Sequence, residues 1–467
     1  VIRLSLTEIA QAMNGVVSGC QTPDDLFLEG LVDTDSRLIE PGGLFFAKPG
    51  EVTDGHLFIP AAIANGAAAV VVDHEVQADV PRIIVEDTVI ALGELAKFVV
   101  NRVRSTGDLR VIGITGSNGK TTTKNLVAAL CSRLGPTVAP RDSFNNEVGA
   151  PLTMLKLELD TRFLVLELGA SGIGHIKRLT DLAAPDIGIV LMVGLAHAGE
   201  FGGVEATVAA KSELVTGLVS GAPVILNSDD PRVAGMASLA RGDVLWFGRE
   251  EGPGVRASNI HVSADGTSFD LKLPDGQSAT VQFAVLGEHH VMNALAMAAV
   301  GVILDCSIDD IRATLESVVR AERWRMEVMR GSGVTIINDA YNASPDSMAA
   351  ALKTLVQVAG GQNRTIAVLG EMSELGEFAG DEHDRLALLA VRLNIDQLIV
   401  VGKGARRLHI SAMNEGSWDG ESLFFESTDD AYDYLVNYCR PDDVVLVKSS
   451  NSAGLRFLGD RLAEAFA

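Results

Sequence analysis

Short apolar runs separated by helix-length stretches set the rhythm of this chain. Leu109 to Ile114, Phe163-Leu164-Val165-Leu166, Ile187-Gly188-Ile189-Val190-Leu191 and Val224-Ile225-Leu226 are each almost wholly apolar. Strands of that kind are buried on both faces, as happens when helices cover a parallel sheet on both sides. From Val255 to Leu286 the period falls to two. Phe269, Leu271 and Leu273 precede the turn Asp275-Gly276, and Val281, Phe283 and Val285 follow it, which predicts an antiparallel hairpin edging the sheet. Upstream, Gly43 to Ala47 reads as extended, Ile59 to Ala64 as helix, and Ala67 to Val72 and Pro81 to Val85 as strands. The stretch Ile90 to Arg104 reads as helix. Past Arg325 the strand-helix rhythm restarts with Val334 to Ile337, Thr365 to Leu369, Gln397 to Val401 and Val444 to Val447. The first helix there is well marked: Ser344 can cap, Pro345 suits the opening position, and Met348, Leu352 and Leu355 share a face.

The pattern predicts an α/β protein, and a prior of roughly 100–200 residues per domain divides 467 residues into about three. The expected domains are a small α/β N-terminal domain over residues 1–87, a central doubly wound, P-loop ATPase-like domain over 88–320, and a C-terminal Rossmann-like domain over 321–467. Composition adds limits. Hydrophobic residues make up 47% and charged residues 21%, so the chain should be globular. A net charge of −23 argues against nucleic acid or acidic lipid as partners, because both depend on clustered Lys and Arg. Cys20, Cys131, Cys306 and Cys439 are scattered, as ordinary thiols of a reducing cytosol would be. No basic-then-apolar leader is seen, and the run Ile187 to Ala196 is about half a spanning helix. A cytoplasmic protein without membrane insertion is expected, and no motif demands a partner chain, so a monomer is expected.

The chemistry starts where the strand ending at Ile114 runs into Thr115-Gly116-Ser117-Asn118-Gly119-Lys120-Thr121-Thr122. The strict phosphate-loop spacing fails, since it needs glycine at 114 and Gly113 lies one residue too far upstream. The context is still that of a phosphate site: small residues expose their amides after a strand, and a helix expected from Thr121 carries Leu126, Leu130 and Leu134 on one face. Lys120 would reach the β- and γ-phosphates and the Thr121 hydroxyl would bind magnesium. The alternative is a tight turn with a solvent lysine. Glu167 closes the next strand, where ligands of open parallel sheets collect; on its own it could equally be a cap or surface charge. By themselves, His197 reads as structural and Lys211 as an ordinary helix lysine.

In order along the chain come Asp35-Ser36-Arg37, Asp54-Gly55-His56, the glycine loop, Asn145-Asn146-Glu147-Val148-Gly149-x-Pro151-Leu152, Glu167-Leu168-Gly169, Ala196-His197-x-x-x-Phe201-Gly202 and Ala210-Lys211-x-Glu213. They continue with Gly287-Glu288-His289-His290-Val291-x-Asn293-Ala294, Asp339-Ala340-Tyr341-Asn342-Ala343-x-Pro345-x-Ser347-Met348 and Gly370-Glu371-Met372-x-Glu374-Leu375-Gly376. This ordered set resembles the Mur ligase family of peptidoglycan synthesis, most closely its D-alanyl-D-alanine-adding branch. The resemblance implies an ATP-dependent, ADP-forming ligase that joins D-alanyl-D-alanine to a UDP-N-acetylmuramoyl tripeptide through an acyl phosphate. It implies that Thr115 to Thr122 bind ATP, with two Mg2+ sites. Glu167 would lie between them, with Thr121 at the first and His197 and a carbamylated Lys211 at the second. Asn293 resembles an adenine contact, and Arg325 and Asp339 resemble residues reaching ATP from the third domain. Ser36, Arg37 and the Lys48 to His56 loop match the uridine diphosphate region, and Asn145 and Asn146 match the loop beside the nucleotide-sugar peptide.

Some positions depart from the family pattern. Met192 stands in place of asparagine, His175 in place of an acid, Ser344 in place of asparagine, and Lys448-Ser449-Ser450-Asn451 in place of Lys-Gly-Ser-Arg. Two sister activities are weighed against this reading. A diaminopimelate-adding ligase would show Asp-Asn-Pro-Arg in its third domain, which is absent here, and folylpolyglutamate synthase generally lacks this kind of first domain. A regulatory protein that kept the fold and lost turnover is disfavoured by the joint presence of Lys120, Glu167, His197 and Lys211.

Overall fold

The computed structural model describes residues 1–50, 53–140, 143–194, 203–318, 323–416 and 420–467. Three sheets carry the architecture. The first has the strand order Val16–Ser18, Arg82–Ile84, Ala67–Val72, Gly43–Phe46, Val32–Asp33. Its first pair is antiparallel and the rest are parallel. The helix Ile59–Ala64 and the strand Ala67–Val72 fall where the apolar pattern put them. The strands the pattern missed, Leu4–Ser5, Val16–Ser18, Phe27–Leu28 and Val32–Asp33, are two or three residues long, too short to show a period.

Among the described residues the central sheet has nine strands. Its parallel centre places Arg110–Thr115 between Phe163–Glu167 and Ile187–Val190. Ile112, Leu164, Leu166 and Ile189 are fully buried there, which accounts for their unbroken apolar runs. The expected hairpin is a three-stranded antiparallel edge, Val255–Ser263, Gly266–Lys272 and Ser278–Phe283. The first of these was hidden in the sequence because its register shifts between Ser258 and His261, with Asn259 at φ 50°. A bulge breaks the two-residue alternation. The helix expected from Ile90 to Arg104 runs over Thr88–Thr106, and Asp87 caps it by accepting from the Val89 and Ile90 amides. This helix links the first two sheets: Val99 and Val100 share one apolar cluster with Leu6, Val71 and Leu164.

The last sheet orders Glu327–Gly331, Val334–Asn338, Val444–Lys448, Thr365–Leu369, Gln397–Val401, Ser422–Phe425, with only the first strand antiparallel. Helix Pro345–Ala359 starts as its sequence predicts, with Ser344 and Ser347 forming a reciprocal cap. Among the described residues, no helix is long and apolar enough to cross a membrane.

Candidate functional site

Three parallel strands deliver the site. The register sets Glu167 beside Ile114 and Val190 beside Thr115, so their carboxyl ends open onto one loop. That loop, Gly116 to Gly119, feeds helix Lys120–Leu134, which begins one residue before the expected Thr121. The first amides of a helix have no intrahelical acceptor and carry the positive end of its dipole, a ready anion site. Gly119 caps the helix at φ 83°, a left-handed conformation that costs a side chain-bearing residue strain. The Lys120 ammonium folds back onto the Gly116 carbonyl at 2.7 Å. Thr115 lies deeper, its hydroxyl donating to the Leu168 carbonyl at 2.9 Å. Ser117 ties the loop to the next strand by accepting from the Gly194 amide at 2.9 Å.

Glu167 is 1% exposed. One carboxylate oxygen accepts from the Thr121 hydroxyl at 2.9 Å and the other from the Asn145 amide at 2.8 Å. The Lys120 ammonium is held below its ordinary pKa, chiefly by burial, against the attraction of Glu167 and with a smaller push from Arg325. The third domain closes over this group. Arg325 donates to the Thr121 hydroxyl at 3.2 Å and lies 4.0 Å over the Tyr341 ring. Asp339 and Lys448 end adjacent strands and pair at 2.6 Å, with Lys448 also donating to the Asn342 carbonyl at 3.0 Å. Loop, Glu167, Asn145, Asn293, Arg325 and Asp339 together line a cavity of about 260 Å3.

A second cavity of about 520 Å3 shares Lys120 and Asn145 with the first and is bounded by Asn146, Arg178 and Lys211. Lys211 sits on helix Val204–Gly217, 5% exposed. Burial first, and the charge of Lys120 second, pull its amine down to a pKa of about 7. The two lysines therefore face one space. His197 lies outside the described residues.

Asn293 packs under the loop, its carbonyl accepting from the Thr123 hydroxyl at 3.2 Å and its amide 3.1 Å from His290 Nδ1. His289 and His290 have ring centroids 4.1 Å apart, tilted by 43°, and line the first cavity. Burial above all pushes His289 down to about 4 and His290 well below its usual range, so both rings are neutral at pH 7. Ser36, Arg37 and Lys48 are not brought to either cavity. They follow the carboxyl ends of Val32–Asp33 and Gly43–Phe46 in the first sheet, with Arg37 paired to Asp35 at 2.6 Å.

Several lining residues escaped the sequence pattern. Ser143 lies 3.1 Å from the Thr121 hydroxyl and within hydrogen-bond reach of Arg325 and Tyr341, and no local pattern marks it. His289, His290, Tyr341 and Lys448 stand inside the family-like motifs but carried no assigned role. Two departures from the family pattern meet at Asn118. The Ser344 hydroxyl donates to its carbonyl oxygen at 3.1 Å, and the Met192 sulfur lies 3.9 Å from its amide.

Comparison with known proteins places this geometry. Residues 30–99 match the family described as Mur ligase family, catalytic domain; residues 114–301 match the Mur ligase middle domain and 324–451 the Mur ligase, glutamate ligase domain. The UDP-N-acetylmuramoyl-tripeptide–D-alanyl-D-alanine ligase of Mycobacterium tuberculosis is 40% identical over 503 residues, covering 99% of this chain and 98% of the relative. A crystal structure of MurF from Acinetobacter baumannii superposes with TM-score 0.90 at 31% identity, covering 99% of each chain. The MurF ligase of Thermotoga maritima, solved in complex with ADP, gives TM-score 0.82 at 26% identity over 94% of this chain and 98% of the other. With its three sheets in the same three-domain architecture, the chain belongs to the Mur ligase family.

Proposed function

We propose that this protein is the ATP-dependent, ADP-forming ligase that joins D-alanyl-D-alanine to a UDP-N-acetylmuramoyl tripeptide in peptidoglycan precursor synthesis. The observation that carries the reading is the junction of two cavities at Lys120 and Asn145, one over the phosphate loop and one reaching Lys211. ATP would lie in the first, with its phosphates on the Gly116 to Thr122 amides and Lys120. The peptide's terminal carboxylate would approach from the second. Attack of that carboxylate on the γ-phosphorus forms an acyl phosphate and releases ADP. The dipeptide amine then attacks the acyl carbon, giving the amide and phosphate. Lys120 at the junction is placed to neutralise oxygens of both reactants, and closure by Arg325 and Asp339 excludes the water that would hydrolyse the acyl phosphate.

The donor set suits magnesium. Thr121 offers a hydroxyl and Glu167 a buried carboxylate, both hard oxygen ligands beside the phosphate loop. In this reading Thr121 and Glu167 hold a first ion, and Glu167, His197 and Lys211 a second. Bound there, the two cations would offset the charge of triphosphate and carboxylate as they meet. Lys211 would serve as its carbamate, because addition of CO2 turns a buried amine into an oxygen ligand. Its enclosure in the cavity beside Lys120 supports this, since a neutral carbamate-forming amine is favoured there over a second ammonium. His289, His290 and Asn293 line the ATP cavity as neutral groups for the base. Ser36, Arg37 and Lys48 would hold the uridine diphosphate at the first sheet's carboxyl edge. We place the domain borders at 1–87, 88–320 and 321–467, and read the protein as a cytoplasmic monomer.

The test is phosphate release from ATP with the muramoyl tripeptide, with and without D-alanyl-D-alanine. Release dependent on the dipeptide is expected. Release that ignores it, or that follows diaminopimelate or glutamate, refutes the assignment.

A further inference from the structure

The carboxyl edge of the first sheet carries three metal-type donors outside the ATP and Lys211 cavities. His56 ends the loop that follows Gly43–Phe46, and Asp73 and His74 come directly after Ala67–Val72. One nitrogen or oxygen from each of His56, Asp73 and His74 lies within 4.8 Å of the other two. The His56 side chain is only 8% exposed. Its Nδ1 is 2.7 Å from Asp54 Oδ1, and Asp54 is itself fixed by accepting the His56 amide at 3.0 Å. That carboxylate holds the proton on Nδ1 and turns Nε2 into a lone-pair donor. Nε2 is buried, and its near neighbour Asp73 Oδ1 at 3.3 Å does not form a hydrogen bond with it, so the atom is left without a satisfied polar partner.

We propose that His56 Nε2, Asp73 and His74 form a binding site for a divalent cation of the zinc class, with Asp54 as the orienting carboxylate. Two ligand atoms about 2.0 Å from a tetrahedral zinc ion lie about 3.3 Å apart, and His56 Nε2 is 3.3 Å from Asp73 Oδ1. His74 Nδ1 already meets the same carboxylate oxygen at 2.5 Å, and its ring centroid lies 4.4 Å from that of His56, the planes tilted by 33°. Replacing the proton between His74 and Asp73 by a cation would turn both donors onto the metal. His74 is 58% exposed, which leaves the remaining position to water. Two imidazoles and one carboxylate favour zinc, cobalt or nickel over magnesium or calcium, and the carboxylate-histidine-metal relay is the usual support of such sites. The cation would clip the Lys48 to His56 loop to the end of the neighbouring strand.

Full-length protein is stripped with a chelator, dialysed, saturated with MgCl2 and ADP, and titrated with CoCl2, and with ZnCl2 against a chromophoric chelator. Wild type should take up one cobalt ion showing visible d–d bands. His74→Gln should weaken zinc binding at least about tenfold, and Asp54→Asn about 10–100-fold. His56→Gln should abolish the bands, while His74→Gln, at an exposed position, keeps the test valid should that variant misfold. No d–d bands in wild type, or the same zinc affinity in wild type and His74→Gln, overturns the proposal.

Discussion

The packing beneath the phosphate loop makes a quantitative claim about Gly119. At φ 83° it occupies a region where a Cβ costs roughly 1–2 kcal/mol. A Cβ built there also falls well inside 3.0 Å of Asn293 Oδ1, so in Gly119→Ala the amide must swing away. It then gives up its bond from Thr123 and its contact with His290, at about 0.5–1.5 kcal/mol each. The total is about 2–5 kcal/mol. The clash part alone can be isolated, because Asn293→Ala removes the obstructing oxygen and both bonds beforehand. Gly119→Ala should therefore cost about 2–5 kcal/mol in wild type but only about 1–2 kcal/mol in the Asn293→Ala background, a coupling of about 1–3 kcal/mol. Unfolding of a three-domain chain is not two-state. The comparison is best made by native-state hydrogen exchange in helix Lys120–Leu134, with ADP affinity measured by calorimetry alongside. ADP binding should fall with Gly119→Ala in both backgrounds, since the loop amides move. Costs that add within about 0.5 kcal/mol would show that Gly119 and Asn293 do not meet.

Three further outcomes are expected. Arg325→Ala, which removes the third domain's reach to Thr121 and Ser143, should lower kcat/KM for ATP by roughly 10²-fold, and an unchanged value in steady-state kinetics would place Arg325 outside the reaction. Asp339→Ala leaves Lys448, 2% exposed, without its carboxylate, and should destabilise the third domain by about 3–5 kcal/mol, read by native-state hydrogen exchange in helix Pro345–Ala359; a loss under about 1 kcal/mol would contradict the pairing. Lys211 has a folded-state pKa of about 7 against an ordinary lysine value of 10.5, so between those values the unfolded chain binds more protons and stability rises with pH, by up to about 1.4 kcal/mol per unit. In CO2-free buffer with chelator, Lys211→Met should flatten that rise; in a separate assay with Mg2+ and bicarbonate present, Lys211→Ala should lose turnover and regain part of it in short carboxylic acids; parallel pH curves and full activity would refute the role.

How far the sequence could be read depended on how local each feature was. The strand, glycine loop and helix around Gly116 to Lys120 were legible because strand, small residues and amphipathic helix are contiguous, and the helix start was missed by only one residue. Glu167 became legible from topology, since a residue at a strand's carboxyl end must face the loop of the adjacent strand. Arg325 and Asp339 could be placed only through the resemblance. Arg325 meets Thr121 across 204 positions of sequence, and no periodicity encodes such a contact. Ser143 is the limiting case, a lone serine whose importance comes entirely from Thr121, Arg325 and Tyr341 converging on it. In the N-terminal region the two-residue strands Leu4–Ser5, Phe27–Leu28 and Val32–Asp33 carried no pattern at all.

The same distinction resolves a tension in the composition. A chain of net charge −23 is poorly suited to collecting a triphosphate and a carboxylated nucleotide-sugar by long-range attraction. The fold answers with local cations from distant positions. Lys120 and Arg178 line one cavity, and Arg325 and Lys448 arrive from the third domain. Burial and the neighbouring Lys120 lower the pKa of the Lys211 amine to about 7, which disfavours a second full positive charge at that point of the cavity. Stable occupancy by two anions therefore requires cations supplied with them, which makes the dependence on Mg2+ of anion binding, rather than of chemistry alone, the consequence to measure. Tripeptide affinity in the absence of nucleotide should rise with Mg2+ in wild type, and should rise less in Glu167→Gln, whose amide oxygen is a weaker ligand beside Thr121 and Asn145. Equal Mg2+ dependence in both proteins would place the cation away from Glu167.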